Sequence, residues 1–193
     1  MKRIGVLAVQ GAFAEMEAYW RREGADVFEI RQRADLDRGM DMLALPGGES
    51  TVQGKLLKDI GLFAPLKAQI EGGLPVFATC AGLILLAERI EDPGARDETR
   101  PEKWFGVLPV AVRRNAYGRQ LGSFHVVGTF DGKPGVPMTF IRAPAITSVS
   151  PGVEVLSTFD GAPTAVRWRG ITAFTWHPEL ADAVVEVHLK DAR

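Results

Sequence analysis

The chain holds one cysteine, and it stands in VFATCAGLILLAE, residues 76–88. VFAT reads as a buried strand and AGLILLAE as the start of a helix, so Cys80 falls where a strand turns sharply into a helix. Ala78, Ala81 and Gly82 are small enough for such a tight, strained turn, the thiol counterpart of a nucleophile elbow. The side chain is then forced outward at the carboxyl end of the sheet, where open α/β sheets bind ligands, and the first helical turn favours thiolate over thiol. A lone cysteine is otherwise a small buried hydrophobe; only this turn makes Cys80 a candidate nucleophile.

A thiolate nucleophile needs a proton shuttle, and three histidines can supply one. His125 lies mid-strand in SFHVVG and His188 in the terminal segment, where core packing or a solvated surface accounts for them. His177 stands in TWHPEL, at the end of the strand-like run ITAFTW. Pro178 biases it toward extended backbone, in which residues two apart share a side. Glu179 can therefore reach the imidazole, fix its tautomer and stabilise the imidazolium. Taken alone, HPE is more often a surface turn than a catalytic pair; the elbow is what turns the balance.

The third element is LPGGEST, residues 45–51. Gly47 and Gly48 leave backbone N–H groups unshielded, able to donate to the oxyanion of a tetrahedral intermediate, a contribution of roughly 3 to 4 kcal/mol. Ser50 or Thr51 is expected to cap the helix that follows. This is not a phosphate loop: from Gly48 to GK at 54–55 the spacing is one residue too long, and Leu56 replaces the required Ser or Thr. One cysteine and scattered histidines make no recognisable metal ligand set, and no metal or other cofactor is expected.

These residues need elements to hold them. IGVLAV (4–9) is a continuous apolar, β-rich run, the pattern of a strand buried on both faces. In residues 12–24, Phe13, Met16 and Trp20 recur at helical spacing and Gly24 supplies the stop. DVFEIR (26–31), MLALP (42–46) and LPVFAT (74–79) read as further strands, with two helical segments between the last two. The alternation implies an α/β fold, a doubly wound, mostly parallel sheet flanked by helices. After residue 104 short β-type runs separated by Gly, Pro and Asp turns imply additional, antiparallel strands in the C-terminal half. Residues 93–103, dense in charge, Pro and Gly, read as a mobile surface loop, and ADAVVEVHLKD as a closing amphipathic helix. One domain, residues 1–193, is the reading that length favours.

Hydrophobic residues make up 46% and charged residues 24%, which describes a globular chain. Twenty-three Lys and Arg against 24 Asp and Glu give no electrostatic case for nucleic acid or an anionic membrane as partner. The longest apolar segment falls short of the roughly 18 residues of a membrane span, and the N-terminus reads as a strand rather than a signal peptide. A single cysteine excludes an internal disulfide and fits a reducing cytoplasm.

PGGEST, TCAGLILLAE and HPEL, in this order on this α/β pattern, resemble the class I, triad-type glutamine amidotransferases. IGVLAVQGAF (4–13), RRNAYGRQ (113–120) and FIRAP (140–144) look like one branch, the glutaminase subunits of pyridoxal 5'-phosphate synthase, and the likeness runs from Ile4 to the final helix. The resemblance implies that Cys80 attacks the side-chain amide of L-glutamine, with His177 as acid and base and Glu179 as its orienting partner. It also implies that Gly47, Gly48, Glu49, Arg114, Ile141 and Arg142 line the glutamine site, where one of the arginines would hold the α-carboxylate. The implied partner is the synthase subunit, a (β/α)8 barrel that receives the ammonia in a hetero-oligomeric complex and completes the oxyanion site of a glutaminase that is otherwise near silent. Two departures stand out: Ala78 occupies a position commonly Gly, and LGSFHVVG lacks acidic residues expected there. The rival readings are a regulatory or binding module of the same fold, and a standalone cysteine hydrolase, whose histidine usually follows its cysteine closely.

Overall fold

Apolar runs too long to leave one side wet become the parallel strands of the principal sheet in the computed structural model, which describes residues 1–92, 101–116 and 123–180. β1 (Arg3–Leu7) leads into α1 (Phe13–Arg22), followed by β2 (Asp26–Ile30) and β3 (Met42–Leu45). α2 (Ser50–Asp59) and α3 (Phe63–Glu71) precede β4 (Val76–Thr79), and α4 (Ala81–Leu86) follows it. The later strands are β5 (Ala87–Ile90), β6 (Leu108–Arg113), β7 (Ser123–Phe130), β8 (Lys133–Ile141), β9 (Ala145–Val149), β10 (Glu154–Phe159), β11 (Ala162–Trp168) and β12 (Ile171–Phe174).

The principal sheet has seven strands in the order β10-β11-β12-β4-β3-β1-β2. From β2 to β12 every neighbouring pair is parallel, while β11 and β10 extend the sheet antiparallel. β5-β6-β9 form a second sheet and β7-β8 an antiparallel ribbon, so the C-terminal half carries the antiparallel pairs its turn-rich texture implies.

The alternation of side chains splits the interior into two cores. Leu7, Leu43, Leu45, Val76, Ala78 and Ala173 pack under α2, α3 and α4. Ile4, Val6, Met42, Ala44, Phe77 and Phe174 pack instead against Met16, Tyr19 and Trp20 of α1 and against Met138 and Phe140 of β8. The methyl of Ala78 thus fills the first core, where the residue is fully buried.

Two local features depart from expectation. AGLILLAE does not continue as helix: α4 stops at Leu86, because the carbonyls of Leu85 and Leu86 accept from Phe105 N at 2.8 Å and Val107 N at 2.9 Å, and Ala87 onward pairs with β6. A 3-10 stretch, Arg33–Arg38, also lies between β2 and β3, where no element was expected. The closing helix at 181–191, His188 and most of the charged loop, 93–100, lie outside the described residues. No helix among the described residues is long and apolar enough to cross a membrane.

Candidate active site

β4 ends in the sheet interior, and the next residue, Cys80, takes φ 49° and ψ −101° before α4 begins. This left-handed conformation is strained for a residue with a side chain and marks a sharp elbow. It is held from the neighbouring strand, because Cys80 N–H donates to the Phe174 carbonyl at 2.8 Å. Gly82 lets α4 follow so tightly: a Cβ there would lie 2.3 Å from the Leu45 carbonyl oxygen. Cys80 is 7% exposed, and what it exposes is the wall of a cavity of about 310 Å³. Its Sγ lies 3.9 Å from the Ile141 carbonyl oxygen, a weak acceptor for the thiol.

His177 arrives from the neighbouring strand, three residues beyond the end of β12, and its N–H donates to the Thr139 carbonyl of β8 at 2.8 Å. Its Nδ1 lies 2.7 Å from Glu179 Oε1, and Thr79 Oγ1 donates to the same oxygen at 3.2 Å. With Nδ1 engaged, Nε2 is the nitrogen left for another partner. The backbone that makes this pair is not the extended segment inferred from Pro178. Pro178–Leu180 is a 3-10 turn, which curls Glu179 back under the ring.

His177 and Glu179 are 6% and 4% exposed, so the ring is cut off from water that would otherwise stabilise its charge. Burial lowers the His177 pKa, but hydrogen bonding to Cys80 and Glu179 and the negative charge of both outweigh it, and the value is pushed up to about 10. Removing Cys80 removes two of those raising causes. In Cys80→Ala the His177 titration, followed by imidazole NMR signals, is therefore expected to move to lower pH than in the parent chain; a midpoint that stays put would mean that the sulfur does not act on the ring.

The loop after β3 closes the third side. A Cβ on Gly47 would lie 2.4 Å from His177 Cε1, so the glycine is what lets the ring lie against the backbone. The Gly47 carbonyl accepts from Ala12 N–H at 2.9 Å, and Gly11, at φ +98°, brings the two loops together so closely that a Cβ there would stand 2.1 Å from that same carbonyl oxygen. Side chains lock the contact. Gln10 Oε1 accepts from Glu49 N–H at 2.8 Å, while Gln53 Nε2 donates to the Gln10 carbonyl at 2.9 Å and the Pro46 carbonyl at 3.3 Å.

The cap of α2 differs from the expectation of Ser50 or Thr51. Glu49 is the last extended residue, at φ −105° and ψ 107°, and its Oε2 accepts from Val52 N–H at 2.7 Å. Ser50 is already inside the helix and Thr51 Oγ1 accepts instead from Arg114 Nη1 at 2.6 Å. Arg114 also makes a two-pronged ion pair with Asp92 through Nε and Nη2. Arg142, at φ 42°, makes no hydrogen bond or ion pair through its guanidinium among the described residues.

Cys80, His177, Glu179, Gly47, Gly48, Glu49, Arg114, Ile141 and Arg142 all line the one cavity. The glycine turn, Cys80 and the His177–Glu179 pair follow the carboxyl ends of β3, β4 and β12, the usual ligand position for open α/β sheets, while Arg114, Ile141 and Arg142 come from the ends of β6 and β8 outside that sheet. Sequence reasoning missed Gln10, Gln53, Thr79 and Thr139, whose roles are hydrogen bonds that only the tertiary structure creates. It also missed Glu15 and Ser50 as wall residues. His125, read as core or solvated surface, is exposed, with its Nδ1 2.9 Å from Thr139 Oγ1. Among the described residues no group of three or more His, Cys, Asp or Glu could hold a metal ion.

Residues 6–190 match the SNO glutamine amidotransferase family. The chain is 51% identical over 178 residues to the pyridoxal 5'-phosphate synthase subunit PdxT of Desulfitobacterium hafniense (strain Y51), covering 92% of this chain and 86% of the relative. It is 48% identical over 180 residues to the PdxT subunit of Methanocorpusculum labreanum, covering 93% and 91%. A solved structure described as a glutamine amidotransferase superimposes with a TM-score of 0.83 at 38% identity, over 92% of this chain and 90% of that one.

Proposed function

Because the chain belongs to the SNO glutamine amidotransferase family, we propose that it is the glutaminase subunit of a pyridoxal 5'-phosphate synthase, hydrolysing L-glutamine and passing the ammonia to a synthase subunit. The observation that carries this reading is the elbow residue Cys80 opening on the same cavity as the His177–Glu179 pair. The Cys80 thiolate attacks the amide carbon of glutamine, and the carbonyl electron pair moves to oxygen. Backbone N–H groups of the Gly47–Gly48 turn are the donors for that oxyanion. The tetrahedral intermediate collapses as the C–N bond breaks and His177 gives its proton to the departing nitrogen, which leaves as ammonia. Water, deprotonated by neutral His177, then cleaves the thioester to glutamate and restores the thiolate, while Glu179 holds the ring in one tautomer throughout.

Ammonia released into neutral water is protonated and ceases to be a nucleophile, which is the chemical reason for a bound acceptor subunit. The reaction then belongs in the reducing cytoplasm, where a free thiol survives. The closing test is ammonia production from glutamine by the purified chain with and without the synthase subunit. Hydrolysis that appears on adding the partner supports the reading. A complex that forms and stays silent would make the chain a regulatory module, and full hydrolysis by the chain alone, unaffected by the partner, would make it a standalone hydrolase.

Of the two arginines in the wall, Arg142 is assigned to the glutamine α-carboxylate, since the charge of Arg114 is already neutralised by Asp92. Arg142→Ala is expected to raise KM for glutamine roughly 10- to 100-fold, the range for losing a hydrogen bond to a charged group, with a much smaller effect on kcat. Steady-state kinetics on the complex checks it; a larger KM effect in Arg114→Ala would reverse the assignment.

A further inference from the structure

Resting on the glutaminase reading, we propose that Tyr19 is a positioning residue of the triad: its hydroxyl serves Glu179 Oε2 through one enclosed water and so holds the carboxylate on His177. The Tyr19 hydroxyl and Glu179 Oε2 are both buried, and neither has a hydrogen-bond partner among the described residues. The other carboxylate oxygen is fully engaged, by His177 Nδ1 at 2.7 Å and Thr79 Oγ1 at 3.2 Å. A buried phenol and half of a buried carboxylate left unmet are both costly, and a water shared between a donor and an acceptor satisfies the two at once.

The fold brings the two groups together. α1 packs on the 3-10 turn Pro178–Leu180 that carries Glu179. Side chains on a helix lean toward its amino end, and α1 begins beyond the carboxyl end of β1, the end of the sheet at which the site lies. Tyr19, in the middle of α1, therefore leans back toward the triad. Its ring is fixed there, stacked on Phe77 at 5.8 Å between centroids and met edge-on by Trp20 at 5.0 Å. Phe77 and Thr79 share one face of β4, and Thr79 is the residue that donates to Glu179. Burial raises the Tyr19 pKa, and the negative charges of Glu23 and Glu179 raise it further against the opposing charge of Arg22, so the phenol stays a donor. A carboxylate with one idle oxygen can rotate and present either to the ring. Fixing Oε2 fixes Oε1 on Nδ1 and draws off part of the charge that otherwise falls on the imidazole.

The test is Tyr19→Phe, which keeps the ring and removes only the hydroxyl. In complex with the synthase subunit, kcat for glutamine hydrolysis is expected to fall roughly 3- to 30-fold with KM nearly unchanged. In a Glu179→Gln background most of that loss should disappear, since a residue acting through the carboxylate has little left to act on. In the Cys80→Ala chain without the synthase, adding Tyr19→Phe should move the His177 titration up by about half a pH unit or more, because the lost donor leaves more of the Glu179 charge on the ring. An unmoved His177 midpoint with kcat at the parent value overturns the assignment and leaves the glutaminase reading intact. A kcat loss of the same size in the Glu179→Gln background also overturns it, since Tyr19 would then act on packing alone. Absence of ammonia release by the parent complex overturns the glutaminase reading and the catalytic role of Tyr19 with it, while the His177 midpoint still reports whether the hydroxyl serves Glu179.

Discussion

Replacing Cys80 by alanine is expected to abolish ammonia release from glutamine, a loss of about 10⁴-fold or more, while glutamine still binds. The size follows from what is removed: without a nucleophile there is no thioester, and the remaining groups can only orient a direct attack by water. Binding survives because the residues around the substrate's α-end are untouched, and the smaller alanine costs little at a position whose geometry is fixed by the Cys80 N–H to Phe174 bond at 2.8 Å. Ammonia assays on the complex give the first number and calorimetric titration with glutamine the second. Ammonia release at the parent rate would remove Cys80 from the chemistry altogether; loss of both release and binding would show that the variant has lost the site rather than the nucleophile.

Gly47→Ala is expected to be the next most damaging change, lowering kcat by about 100-fold with little effect on melting temperature. Its methyl would stand 2.4 Å from His177 Cε1, closer than non-bonded atoms approach, and 3.2 Å from Nδ1. Either the ring turns, breaking the 2.7 Å contact with Glu179, or the loop withdraws and takes the Gly48 peptide with it. Both misplace a reacting group by the order of an ångström, for which about 100-fold is a typical cost. Gly47 is buried, but the clash falls on His177 in the cavity wall and not on either core, and Gly48 and Glu49 beside it are exposed. Steady-state kinetics and thermal melting on the same preparation separate the outcomes. An unchanged kcat would show that the ring has room the structure does not give it.

The parallel strands were legible because burial on both faces leaves a pattern that needs no partner to interpret: IGVL, MLAL and VFAT each hold at most one residue that is not apolar. The elbow was legible for a similar reason, since small residues around a polar one between a strand and a helix leave few alternatives. The cap on α2 was not, because preference ranks serine and threonine above glutamate, while the backbone at 49 decided which side chain stood at the last extended position. Nor was the end of α4. Six apolar residues in a row do not distinguish helix from strand, and what stops the helix is a pair of N–H groups from residues 105 and 107. The Gln10–Glu49–Gln53 lock was invisible for a plainer reason, since its members stand 39 and 43 positions apart from Gln10 and mean nothing until the loops meet.

β12 pairs directly with β4 in the middle of the principal sheet, so residues 100 positions apart, Thr79 and Glu179, end up hydrogen-bonded. During synthesis Cys80 emerges from the ribosome first, and at roughly 5 to 20 residues per second His177 follows about 5 to 20 seconds later. Over that interval β4 lacks one neighbour and presents an apolar strand edge, the feature that invites mispairing between nascent chains. On the proposed glutaminase function, the same delay keeps an unfinished chain from consuming glutamine before it can hand on the ammonia.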